Sequence, residues 1–307
     1  IILKVTVTDG DGDIAQQSVT VNTVAGPLFN DAPSGGSSVV TTDEGNIPGM
    51  GSQHETSVTQ PFGAATDGSF KMELHGADAT VTIGGTELKV ENGKLYHNGV
   101  EVTADAAVSV PGGAHGTLTV TGMDADGTVH YTYTLTTPVD ATGNASNRPG
   151  EGDAGRGEAV HADAFDVTIT TTGGTATGQI TVDALDDAPV LSTLDTTQTT
   201  VADSEAALTG TLSFTPGADA EGAQVTVEVE GQTFTGTKGE NGWTFTGGSD
   251  GSSFQLNGTA FTYTRPSSNT TDGRNDTIIL KVTVTDGDGD TAEPVSYTHL
   301  DAADDKA

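Results

Sequence analysis

Apolar and polar residues alternate with a period of two along most of this chain, and no window carries a helical period. That alternation, in segments rich in Thr and Val, predicts half-buried β-strands over 2–8, 18–22, 117–121, 128–136, 165–170 and 179–183. It predicts them again over 208–214, 224–230, 243–246, 254–256, 260–264 and 277–285. Between residues 87 and 102, Asn92-Gly93 and Asn98-Gly99 separate short apolar runs, which is the pattern of tight hairpins. Apolar residues make up 33% and aromatic residues 5%, too little for one large core but enough for several small ones. The chain is therefore expected to be all-β.

Charge narrows the function classes. With 11 Lys+Arg against 43 Asp+Glu the formal net charge is −32, which disfavours a nucleic acid or an anionic membrane surface as partner. There are no cysteines, so disulfides and thiolate metal sites are excluded. No run of about 18 apolar residues occurs that could span a bilayer as a helix. Ile1 opens inside a strand pattern, so the chain reads as an interior piece of something longer.

The thirteen letters "IILKVTVTDGDGD" occur at 1–13 and again at 278–290, 277 positions apart. Such identity points to recent duplication within a tandem array. Two acidic, proline-containing phrases, "FNDAP" at 29–33 and "DALDDAPVL" at 183–191, mark joints, because proline does not continue a central strand. Cutting there predicts the end of a truncated repeat (1–28), a middle sandwich (29–187) with a long polar insert at 140–159, and a third sandwich (188–294). The third has the length and strand number of an immunoglobulin-like fold. The expected architecture is thus tandem immunoglobulin-like (Greek-key) β-sandwich domains joined by short acidic linkers. Residues 295–307 are expected to be a non-native or disordered tail, since "VSYTHL" resembles the translated end of a transposon used to prepare sequencing libraries.

The acidic turns carry the chemistry. Asp9, Asp11 and Asp13, like Asp286, Asp288 and Asp290, alternate with glycines, which let the turn curl its carboxylates inward. Carboxylates within ~5 Å of each other repel by roughly 1 kcal/mol per pair or more, and a hard divalent cation reverses that sign. Calcium, with six to eight oxygen ligands and tolerance of irregular geometry, suits such a turn better than magnesium. An EF-hand is rejected, because its sixth and twelfth positions would be Ile14 and Thr20 in one copy and Thr291 and Tyr297 in the other. The single "DADG" at 124–127 reads as an ordinary turn. At the equivalent turn of the middle sandwich "TTGGT" (171–175) replaces the aspartates, so calcium dependence is expected to be weaker there.

"DALDDAPVL" is similar to the cadherin interdomain linker. Asp183, Asp186, Ala188 and Pro189 match that pattern, while Leu185 and Asp187 stand at its asparagine positions. "FNDAP" retains Asn30, Asp31, Ala32 and Pro33. Glu44 and Glu205, shortly beyond the two joints, could supply ligands from the next domain, and a surface carboxylate explains either equally well. Together "VTVTDGDGDTA", "YTYTLTTPVD", "ITVDALDDAPV" and "LSFTPGADAEGA" resemble the tandem domains of large type I-secreted adhesins of Gram-negative bacteria, the repeats-in-toxin group. The resemblance implies Ca2+-stiffened extender domains of an extracellular surface protein for attachment or biofilm formation. Their partners would be neighbouring repeats of the same chain and host or biofilm glycans or proteins.

Two other functions were weighed against this. "GGSDG" at 247–251 satisfies the nucleophile-elbow pattern without its strand-to-helix context, and the seven histidines occur singly, so an enzyme is not expected. A lectin-like binding module centred on the middle sandwich is the alternative. Sparse aromatics argue against it, and Trp243, the one tryptophan, reads as core.

Overall fold

The computed structural model describes residues 2–8, 14–20, 24–29, 36–50, 64–139, 160–196, 207–240, 242–266 and 278–293. These residues form strands throughout, with one 3-10 turn at Glu44–Asn46. Two compact units result: 1–40 with 67–134 and 163–182, and 41–66 with 135–162 and 183–307.

Strand order identifies the fold. Residues from 190 to 292 make two sheets. One runs Val190–Thr196, Ala207–Thr215, Ala260–Thr264, Ser253–Asn257, which is the ABED order of an immunoglobulin sandwich. The other runs Gly242–Gly247, Gln232–Gly239, Gln224–Val229, Leu280–Thr285, Thr291–Ala292, the C″C′CFG order of the variable type. Earlier in the chain the same order recurs. Leu28–Phe29, Ala65–Glu73, Thr128–Leu135 and Gly116–Met123 give ABED, with Val108–Val110 added at the edge. Gly36–Asp43, Gly174–Leu185, Val160–Thr171, Ala79–Ile83, Thr86–Glu91, Lys94–His97 and Val100–Glu101 make the opposing sheet. Both sandwiches are immunoglobulin-like.

The turns explain why the hairpins close. Asn92-Gly93 and Asn98-Gly99 have positive φ at both central residues, as type I′ turns require. Gly84-Gly85 and Glu230-Gly231 do the same between Ile83 and Thr86 and between Val229 and Gln232. Glu230 is an unusual occupant, and its carboxylate is held by the Tyr263 hydroxyl (2.9 Å) and the buried Arg265 guanidinium (3.1 Å).

Period-two burial places the cores as expected. Val225, Val227 and Val229 face Leu280, Val282 and Val284 across paired strands, with Phe234, Phe254, Phe261 and Tyr263 filling the same core. Trp243 lies at the edge of that core, half-buried and edge-on to Phe214 (ring centroids 5.1 Å). In the first unit Val81, Ile83, Leu88, Tyr131, Phe165 and Ile169 are buried.

Where both copies are described, the repeated strands pair in the same register. Val7 pairs with Ala15 and Thr8 with Ile14, and 277 residues later Val284 pairs with Ala292 and Thr285 with Thr291. The first copy continues for seven residue pairs. The second is described only to residue 293, and the tail at 295–307 lies outside the described residues, as does the insert at 140–159.

Strand membership and packing divide the chain differently. Strands change sheets between 185 and 190, whereas described residues 41–50, 64–66 and 135–139 fall in the same unit as those from 183 onward. This gathers Glu44, Asp186, Asp219 and the 286–290 turn into one unit.

Candidate metal centre

Four short segments of the second unit bring acids together. Glu44 opens the 3-10 turn that follows strand Gly36–Asp43. Asp186 and Asp187 follow strand Gly174–Leu185, where Ala188 and Pro189 stop it. Asp219 lies in the loop between Ala207–Thr215 and Gln224–Val229, and Asp286, Asp288 and Asp290 form the turn after Leu280–Thr285. Glu44, Asp186, Asp187, Asp219, Asp286 and Asp290 are all buried. Glu44, Asp186 and Asp219 each offer an oxygen within 4.8 Å of the other two.

Backbone donors aim these groups. Val139 N–H donates to Glu44 Oε1 (2.7 Å), which leaves Oε2 pointing inward. Ala218 N–H donates to Asp187 Oδ2 (2.9 Å), and Gly45 N–H to Asp43 Oδ1 (2.9 Å). The Thr42 hydroxyl donates to the Asp183 carbonyl (3.3 Å), tying the two strand ends together. Within the acidic turn, Gly289 and Asp290 N–H both donate to Asp286 Oδ1 (3.0 and 2.7 Å). Gly287 N–H donates to the Asp219 carbonyl (2.7 Å), laying the turn on the 219–221 loop. A Cβ on Gly287 would come within 2.1 Å of the Glu221 carbonyl oxygen, so that approach needs glycine.

What these donors leave out is decisive. Glu44 Oε2, Asp186 Oδ1, Asp286 Oδ2, Asp288 Oδ1 and Asp290 Oδ2 are buried without a hydrogen-bond partner. Buried carboxylate oxygens normally find donors, and leaving one without costs more than a neutral group would. Asp163, a buried acid of the first unit, shows how the same fold satisfies a carboxylate by itself. It accepts from Ala114 N–H (2.6 Å), His115 N–H (3.2 Å), Gly116 N–H (3.1 Å) and the Tyr133 hydroxyl (2.5 Å). Among the described residues, Glu44 Oε2, Asp186 Oδ1 and Asp290 Oδ2 have no donor of this kind.

The electrostatics agree. Burial, then the charges of Asp219, Asp186 and Asp187, raises the Glu44 pKa to about 9 against the pull of Val139 N–H. Burial and then the Asp288, Asp290, Asp219 and Asp187 charges raise Asp186 to about 8. Asp286 rises to about 9 through burial and a carboxyl–carboxyl contact with Asp288, and Asp290 to about 6 through burial and Asp288. The donor set is oxygen only and irregular, which fits calcium and gives no nitrogen or sulfur for zinc.

Glu44, expected as a ligand from just beyond the joint at 29–33, lies with Asp186 and Asp219. The joint phrase and the acidic turn form one cluster, since Asp288 and Asp290 act directly on Asp186. Asp183 is half-buried and its backbone, not its side chain, makes the described contact. Asp219 is not among the residues the sequence pattern singles out, since "GADAEG" carries no acidic cluster of the DGDGD kind. Asp9, Asp11, Asp13, Asn30, Asp31 and Glu205 lie outside the described residues.

The middle sandwich treats the same corner differently. Its "TTGGT" turn packs directly on backbone, so that a Cβ on Gly173 would meet the Ala25 carbonyl oxygen at 2.2 Å. The "DADG" turn closes through Gly127 N–H to the Asp124 carbonyl (3.0 Å). In "GGSDG" the Ser249 hydroxyl donates to Gln232 Oε1 (3.1 Å), not to an imidazole.

No family model matches the chain, and no curated protein matches it. Among solved structures it is similar to a fragment of titin, at 10% identity over 87% of this chain and 97% of that one, with a TM-score of 0.26. An I-band fragment of titin gives 9% identity over 95% and 72%, with a TM-score of 0.25. A Ca2+-stabilized adhesin with which an Antarctic bacterium reaches out and binds ice gives 18% identity over 95% and 79%, with a TM-score of 0.20. The immunoglobulin-like assignment rests on strand order, not on these likenesses.

Proposed function

We propose that this chain is a run of calcium-stiffened extender domains from an extracellular bacterial surface adhesin serving attachment or biofilm formation. The observation that carries the reading is the set of buried carboxylate oxygens without donors, gathered from the segments on both sides of the 183–189 phrase. Without cations these charges oppose packing at the joint. With calcium bound, Glu44, Asp186, Asp219 and the 286–290 turn would share ligand duty, and the segments carrying them would be fixed in one orientation.

Extracellular calcium sites have Kd values of roughly 10⁻⁴–10⁻³ M, so such a joint stays loose in cytosol and sets after export. The domains 29–187 and 188–294 are then successive links, and neighbouring repeats are the first partners. Small-angle scattering of the whole chain tests this. Adding calcium to EGTA-treated protein should lengthen its maximum dimension and narrow the distribution of distances. An identical scattering curve in both conditions would sink the stiffening role.

A lectin-like role for the middle sandwich has less support. Its first-unit portion carries an open cleft of about 480 Å³ bordered by Lys71, His75, Asp78, Asn92 and Asp126. No Trp, Tyr or Phe lines that cleft to stack on a sugar face.

A further inference from the structure

We propose that the third sandwich accepts Ile14–Thr20 of a second copy of this chain as the closing strand of its sheet. The acceptor is the open edge of strand Leu280–Thr285.

The chain's own continuation leaves that edge open. On one side Leu280–Thr285 pairs along its whole length with Gln224–Val229. On the other it meets only Thr291 and Ala292, opposite Thr285 and Val284. Glu293 is no longer in a strand, and Pro294 has no N–H with which to continue a ladder. Among the described residues, 280–283 therefore have no strand neighbour on that side. An edge of this kind presents unpaired backbone N–H and C=O groups to any strand that can lie along it. Ile279, just before it, is 67% exposed.

The strand that fits is already seen on an identical sequence. Ile2–Thr8 repeats Ile279–Thr285 letter for letter, and Ile14–Thr20 pairs with it over seven residues. On the third sandwich the same register sets Val19 opposite Leu280, Gln17 opposite Val282 and Ala15 opposite Val284. Directly opposed residues share a face of the sheet, and Leu280, Val282 and Val284 belong to the core. Val19 and Ala15 would thus extend that core at its margin, with Thr20 beside the exposed Ile279. The donated segment "IAQQSVT" carries no charge, so Lys281, paired with Glu293 at 3.3 Å, meets no like charge.

The donated strand gives up little. Ile2–Thr8 and Ile14–Thr20 make a two-stranded sheet, which is marginal in water, whereas the acceptor sheet has five strands and a core behind it. Repeat proteins are prone to exchange of equivalent elements between copies. Donation from residues 14–20 of one copy to residues 280–285 of the next is heterologous, so it closes as a reciprocal dimer or runs on into longer assemblies.

Sedimentation equilibrium of the whole chain tests the contact, in calcium and in EGTA alike, because strand pairing needs no cation. The mass should rise with concentration from that of one chain to two or more, and the Trp243 melting transition should move up with it. Gln17→Pro, which takes an N–H from the donated strand, should hold the mass at one chain. Since the chain has no cysteine, mixing two singly substituted chains under oxidation reads the register. Ser18→Cys mixed with Lys281→Cys should give a linked pair of chains. Gln17→Cys mixed with Lys281→Cys should not, because successive residues of a strand point to opposite faces. A chain that stays single at every concentration overturns the proposal, as does association that Gln17→Pro leaves intact. Linking through Gln17→Cys as readily as through Ser18→Cys overturns it as well.

Discussion

Treating the protein with EGTA should lower the melting temperature of its second unit by roughly 5 °C or more. Trp243 is the only tryptophan and packs edge-on to Phe214 in that unit, so its emission reports this transition selectively. Calcium at about ten times its Kd adds roughly 1.4 kcal/mol per site by mass action. For a sandwich of this size 1 kcal/mol moves the midpoint by several degrees. Calcium added back should restore the transition fully, and magnesium should do so less well, because it demands a regular octahedron that this irregular set of carboxylates does not offer. Melting curves that coincide with and without EGTA would remove calcium from the account.

The second large effect is a pH dependence that exists only without calcium. Glu44, Asp186, Asp286 and Asp290 have pKa values raised to about 9, 8, 9 and 6, chiefly by burial and then by one another. The folded state therefore holds protons that the unfolded chain releases, so stability is fully present below about pH 4 and is lost as pH rises through these folded values. A tenfold change in proton affinity is worth about 1.4 kcal/mol, and these neighbouring carboxyls titrate together rather than one by one. In EGTA the Trp243 transition should thus fall steadily from pH 5 to pH 9. With calcium the slope should vanish, because the ion binds the deprotonated carboxylates and gains affinity as pH rises. Parallel pH profiles in the two conditions would mean that the carboxylates are satisfied some other way.

Much of the fold is legible in the sequence, because period-two patterning and turn chemistry are local. The strand predicted at 260–264 is observed at Ala260–Thr264, and the two Asn-Gly pairs make the type I′ turns that their composition requires. Gly36–Asp43 and Ala65–Glu73 escape such a reading, since Ser, Thr and Gly blur the apolar alternation in "GSSVVTTD" and "ATDGSFKME". Gln232–Gly239 escapes for the same reason.

The site divides along the same line. "DGDGD" and "LDDAP" announce themselves as clusters of acids, and the structure buries Asp186, Asp187, Asp286 and Asp290 and half-buries Asp288 in the second unit. Glu44 and Asp219 enter that group from far along the chain, Glu44 through the close of strand Gly36–Asp43 and Asp219 through the Gly287 hydrogen bond to its carbonyl. Position beyond a joint marks Glu44 in the sequence, whereas nothing local marks Asp219. The glycine of "TTGGT" was legible as a missing acid, but its packing against Ala25 is a contact that only the folded chain reveals.

The central claim is that the buried carboxylates of this unit are held by divalent cations. A crystal of the chain grown in calcium, with anomalous scattering recorded, tests it most directly. A peak at bonding distance, about 2.3–2.6 Å, from Glu44, Asp186 and Asp219 is the expected result. Carboxylates paired with one another or with water, and no anomalous peak among them, would contradict it.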